Sequence, residues 1–300
     1  VVGIFLKRIS RFPQNAHIAL NSFVIYVSFP ATVLIQITKL FSQNPLSFHM
    51  LLPASMGWML FLVSWGLFSW IGKKRGWSPA RTGALILTAG LGNTSFVGFP
   101  LLEAMMGAEA VQWGVLVDQL GSFFVLSTLG IVVASTYGRA RDGKSRSILN
   151  QVSTFPPFIA LCMALVLSSF GFVFTGMSEQ IVQKLAGTLV PLSLVSVGLH
   201  LKLSMPVLKR YWRPLSLGLS FKLFFAPLGF FLLYAVALGD HSFVARVTIL
   251  ESAMATMITS AVVAGDYCLD EELANLMVGV SIPLSLITVS GWHGVLTQWP

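Results

Sequence analysis

Apolar segments long enough to cross a bilayer recur along this chain, near residues 19–38, 49–71, 84–102, 109–135, 156–174, 182–201, 215–238, 243–265 and 273–296, each bounded by charged or turn-forming residues. A helix needs about 20 apolar residues to traverse roughly 30 Å of hydrocarbon. Of 300 residues, 55% are hydrophobic, and the 26 glycines raise the share to about 64%, against roughly 45–50% on the same count for soluble domains. Only 10% are charged, too few to cover a soluble globule of this size. The sequence therefore predicts an all-α integral membrane protein with short loops and no separate soluble domain.

A tenth segment, Val1-Val2-Gly3-Ile4-Phe5-Leu6 before Lys7-Arg8, reads as the end of a helix truncated at its start. A full span would need roughly 10–15 more apolar residues. With that helix counted first, the odd-numbered connections hold Lys7, Arg8 and Arg11; Lys73, Lys74, Arg75 and Arg81; Arg139, Arg141, Lys144 and Arg146; and Lys202, Lys209, Arg210 and Arg213. The even connections hold Lys39 and Lys184, with Arg246 just inside the next span. Basic loops stay cytoplasmic, so fifteen against three predicts cytoplasmic odd loops and both termini outside. The ninth connection is acidic, with Asp266, Asp270, Glu271 and Glu272, and acidic residues contribute little to orientation. The net charge of +8 lies in these loops without an aromatic-interleaved basic face, which favours lipid head groups over nucleic acid as counterion. Cys162 and Cys268 imply neither a disulfide framework nor a metal site.

The basic loop at 137–155 divides the chain into residues 1–136 and 156–300, five spans each. Five is odd, so the second set enters the membrane inverted. The expected architecture is ten helices in two inverted five-helix repeats. The fourth and ninth spans, in corresponding positions, are the most interrupted by small and polar residues, which points to a transporter binding site.

In the fourth span, Gly90-Leu-Gly-Asn-Thr-Ser-Phe-Val-Gly-Phe-Pro100 combines three glycines, three polar residues and a proline. Proline removes a donor and crowds the carbonyl four residues back, which predicts a break near Asn93 to Phe96. A half-helix N-terminus there would offer backbone donors and partial positive charge to an anion; the alternative is a packed kink. In the ninth span, Glu251 is costly in an apolar environment and needs a reason. It could bind a cation, exchange a proton or bond the opposing broken helix. Thr256, Thr259 and Ser260 are weaker candidates, because hydroxyls in membrane helices often bond their own backbone. Asp118-Gln119 in the fifth span is either a proton or ion site, or a clamp on the fourth. Lys222, seven residues into the eighth span, is expected to snorkel to the head groups. His200, Glu103 and Glu109 lie at span ends and are expected at the interface. Asn21, Tyr26 and Pro30 either line a cavity or pack. The sequence carries no phosphate loop, zinc motif, nucleophile elbow or voltage-sensor arginine ladder, so transport without ATP is expected rather than catalysis.

The stretch from Gly92 to Gly107, with Val117-Asp-Gln-Leu-Gly-Ser122 and Tyr26-Val-Ser-Phe-Pro-Ala31, resembles the auxin efflux carrier family over essentially the whole chain. That family includes bacterial malate and malonate permeases and shares a superfamily with bile acid:sodium symporters. The resemblance implies a scaffold domain and a transport domain, with helices 4 and 9 unwound where they cross and substrate bound beside them. Asn93, Thr94 and Pro100 carry over in the first crossover, and Glu251 through Thr259 in the second. Ala255 and Thr259 stand where the family usually has proline and often asparagine. The expectation is a secondary transporter of a small organic anion in a bacterial inner membrane, with Asn93, Thr94, Ser95, Pro100, Thr256 and Thr259 at the substrate. Glu251, Asp118 and Gln119 would serve the coupling proton or sodium, with a sodium position near Asn93 and Glu251 and no other cofactor. A homodimer is one expected assembly. The rival expectations are a sodium symporter for an amphipathic anion and a membrane sensor without transport.

Overall fold

The computed structural model describes residues 6, 13, 16–43, 51–139, 153–200 and 205–299. Most of the expected first helix and of the central basic loop lies outside the described residues. Among those residues the protein is all-helical. Five helices are long and apolar enough to cross a membrane: α1 (16–43), α2 (Leu51–Arg75), α5 (Ala108–Tyr137), α9 (205–237) and α12 (Glu271–Gln298). Three expected spans are instead pairs of shorter helices: α3 (Pro79–Gly90) with α4 (Thr94–Met106), α7 (Gly176–Ala186) with α8 (Leu189–His200), and α10 (Phe243–Ser252) with α11 (Ile258–Asp266). The remaining helix, α6 (Pro156–Ser169), has 14 residues.

Local sequence explains several of these boundaries. Ser78 caps α3 by accepting from Arg81 N–H, with Pro79 in the first turn, where its missing donor costs nothing. Pro30, Pro100 and Pro227 each stand two residues past the end of a widened π turn, at Val24–Ser28, Thr94–Gly98 and Phe221–Phe225. In each case the carbonyl crowded by the proline ring lies inside the widened turn, so the helix bulges instead of breaking. The Leu223 carbonyl, which Pro227 cannot serve, accepts from the Trp292 indole at 3.2 Å. The expected seventh span is interrupted at Gly187-Thr188, three residues before Pro191.

Polar and apolar sides are inverted relative to a soluble protein. Ser28, Ser64, Thr88, Thr94 and Gln119 are buried, while Phe170, Met177, Tyr26 and Ile287 are exposed, as a helix bundle facing lipid requires. Exposure of Tyr26 places it away from the cavity described below.

The ninth connection shares a face with the basic loops. Arg81 Nε meets Asp270 Oδ2 at 3.3 Å, Arg210 meets Glu272 at 3.5 Å, and Arg139 N–H donates to the Tyr267 carbonyl at 2.8 Å. The long helices α2 and α5 approach each other through glycine. A Cβ on Gly57 would fall 2.7–2.9 Å from the backbone of Gly121 and Ser122. Gly57→Ala should therefore cost about 1–3 kcal/mol, read as a lower thermal midpoint in detergent, whereas Gly66→Ala, which meets nothing within 4 Å, should leave the midpoint unchanged.

Candidate functional site

The breaks in α3/α4 and α10/α11 lie against each other in antiparallel register, with Gly92 opposite Thr256. Asn93 N–H donates to the Ala255 carbonyl at 2.7 Å, and Met257 N–H donates to the Leu91 carbonyl at 3.0 Å. Thr256 N–H is taken by Ser281 Oγ at 2.9 Å. Backbone groups freed inside a membrane need such partners, and here each interruption supplies them to the other.

The first interruption falls at Leu91–Asn93, overlapping at Asn93 the stretch expected from the proline. Pro100 does not create it, because the π turn absorbs the proline. Leu91 is extended, and Asn93 turns its side chain to accept from Phe96 and Val97 N–H at 3.1 and 3.3 Å. The second interruption forms without proline across Ala253–Met257.

A cavity of about 270 Å³ opens beside the paired breaks. Its polar lining comes from Asn21, Asn93, Ser95, Asp118 and Thr259, its aromatic lining from Phe29, Phe96, Phe123 and Phe155. The N-terminal residues of α4 and α11 both contribute. The α11 N-terminus has no side-chain cap; Ser260 N–H turns back to the Met257 carbonyl, which leaves the N–H groups of Ile258 and Thr259 available to an anion. Asp118 accepts from Thr94 Oγ1 at 2.5 Å and from Gln119 Nε2 at 2.8 Å. Asn21 accepts from Ser196 Oγ at 2.5 Å.

The expected site residues thus divide. Asn93, Ser95, Asp118 and Thr259 reach the cavity; Thr94 and Gln119 stand one hydrogen bond behind it. Pro100 and Thr256 lie off it, the latter within the paired backbone. Glu251 is fully buried in a separate niche, where a Cβ on Gly98 or Gly114 would fall 2.7 and 3.1 Å from its carboxylate. Ser260 bonds its own backbone, to the Met257 carbonyl.

Lys222 corrects the snorkelling expectation. Its side chain is fully buried, and Nζ donates to the Ser252 carbonyl at 2.9 Å, at the end of α10. The π turn at Phe221–Phe225 carries it inward, and position along the span could not reveal this. Seven buried side-chain atoms have no hydrogen-bond partner among the described residues, and five belong to this region: Asn93 Nδ2, Gln119 Oε1, both Glu251 oxygens and Thr256 Oγ1. Buried polar atoms are ordinarily paired, so their concentration here singles out this region as the candidate site.

A second cavity, of about 470 Å³, opens between the ends of α1, α4, α5 and α7, where Lys39, Glu103, Glu109 and Gln112 line it. Glu103 and Glu109 thus face this vestibule. It is separated from the first cavity by Phe29 and Phe99, one lining each, which meet edge to face at 5.6 Å between centroids.

Two substitutions probe the paired breaks. Asn93→Ala removes a cap and should cost about 0.5–2 kcal/mol. Ser281→Ala strands Thr256 N–H and should cost about 1–3 kcal/mol. Both are measured as thermal midpoints in detergent, with the exposed Ser290→Ala as a control expected to change nothing.

A family model described as membrane transport protein matches residues 1–154 and again 144–293. An uncharacterized transporter of Methanocaldococcus jannaschii is 27% identical over 301 residues, covering 99% of this chain and 95% of its own. An uncharacterized transporter of Methanothermobacter thermautotrophicus is 25% identical over 297 residues, covering 99% and 94%. With the family matched along nearly the whole chain and five helices able to span a bilayer, the protein belongs to the membrane transport protein family, that of the auxin efflux carriers.

Proposed function

We propose that the protein is a secondary transporter of a small organic anion, working by alternating access at the paired helix breaks. The observation that carries this reading is the cavity of about 270 Å³ beside two half-helix N-termini, with Asn93 Nδ2 buried and unpaired at its edge. A carboxylate there accepts from the uncapped N–H groups of α11 and from Asn93, while Ser95 and Thr259 orient it. Thr94 acts through Asp118, to which it is bonded.

The lining also favours one substrate class. Four phenylalanines surround the cavity and, among the described residues, no lysine or arginine lines it, so a second carboxylate would meet no countercharge there. A monocarboxylate with a flat apolar body, an auxin-like acid, fits better than a dicarboxylate. Its charge would face Asp118, and like charges disfavour each other. Taking up a proton or sodium at Asp118 or Glu251 relieves that repulsion and couples the two fluxes.

Two inverted five-helix repeats account for the corresponding positions of the two breaks and for the double family match. Cytoplasmic odd loops then place the Lys39 vestibule outside, with the Phe29–Phe99 pair as the barrier between vestibule and cavity.

Uptake into proteoliposomes tests the reading, with and without a proton or sodium gradient. Aromatic monocarboxylates should be accumulated in preference to malate or malonate, and Asn93→Ala should cut uptake at least tenfold. Full activity of Asn93→Ala would remove the site, and transport of no carboxylate would remove the substrate class. Phe99→Ala should raise passive leak of the same acid without a gradient.

A further inference from the structure

Among the described residues Lys222 is the one fully buried basic side chain, and the orientation of the loops does not account for it. The carbonyls at the end of α10 are disposed of one by one. That of Ile249 accepts from Ser252 Oγ at 2.6 Å, that of Leu250 from Ala253 N–H at 3.1 Å, and that of Glu251 from Met254 N–H at 3.1 Å. The Ser252 carbonyl is left, and Lys222 Nζ takes it at 2.9 Å. A helix C-terminus carries about half a negative charge, and interrupted membrane helices use such carbonyl ends to hold monovalent cations.

The ammonium also lies against the end of the other broken helix. Gly92 stands two residues beyond α3, and a Cβ there would come within 3.1 Å of Nζ and 3.7 Å of the Glu251 carbonyl oxygen. The glycine leaves room for the charge between the two C-terminal ends. Glu251 is not its hydrogen-bonded partner, since neither carboxylate oxygen has one. The lysine is fixed from its own side too: Phe221, in the same π turn, packs edge to face on Phe68 at 5.6 Å.

We infer that Lys222 is a resident cation, filling from within the chain a monovalent-cation position between the C-terminal ends of α3 and α10. The paired breaks then need no bound sodium, and removal of the lysine charge opens a site for sodium or potassium. The inference rests on the proposed function only in treating the breaks as the transport site; it assigns coupling to protons or to none.

Thermal unfolding of the purified full chain in detergent tests this with the cations alone, in sodium, potassium or choline chloride at equal ionic strength. The wild-type midpoint should be the same in all three. Lys222→Met should unfold earlier in choline and recover by about 5 °C in saturating sodium or potassium, while Lys222→Arg should stay indifferent to the salt. A sodium-dependent wild-type midpoint overturns the inference. So does a Lys222→Met protein that is indifferent to the cation, or one that folds in none of the salts, because the added cation should replace the missing charge. No readout involves a carboxylate, so failure of carboxylate uptake would leave this result standing, and its own failure would leave carboxylate uptake standing.

Discussion

A backbone that leaves the helix inside a bilayer must find partners for its N–H and C=O groups, because lipid offers none. In this protein two interruptions meet that requirement for each other. Asn93 bonds to Ala255 and Met257 to Leu91, so each break depends on the other being present and in register. Residues more than 160 apart in sequence are thereby locked together at the protein interior. Side chains complete the pairing, with Asn93 capping one helix start and Ser281 taking the Thr256 amide.

Glycine makes this meeting spatially feasible. Gly92 leaves room for the Lys222 ammonium, and Gly98 and Gly114 leave room for the Glu251 carboxylate. Two carboxylates and one ammonium therefore sit in the interior of a chain with few charges, within reach of a cavity that aromatic rings keep small. Formally the interior is one positive charge short of neutral.

The site was partly legible in the sequence. Gly90-Leu-Gly-Asn and Glu251 marked the two interruptions, because small and polar residues in an apolar span demand a structural reason. Asp118 was marked by its cost. The division between cavity-lining Asn93, Ser95 and Thr259 and the displaced Thr256 and Pro100 was not legible. It follows from a backbone that leaves helical geometry, after which the 3.6-residue period no longer says which way a side chain points. Lys222 was misread for a related reason: a π turn advances the helix by a different angle and turned inward a residue whose depth suggested the head groups.

The sequence by itself determined that the chain is helical and membrane-embedded, and which two spans carry the paired breaks. Those properties depend on composition, run length and the chemistry of single residues, all of which are local. Only the tertiary structure decided where each interruption falls, which carbonyl Lys222 reaches and which polar atoms remain unpaired. These depend on contacts between segments distant in sequence, where a shift of one residue exchanges a bonded group for an orphaned one.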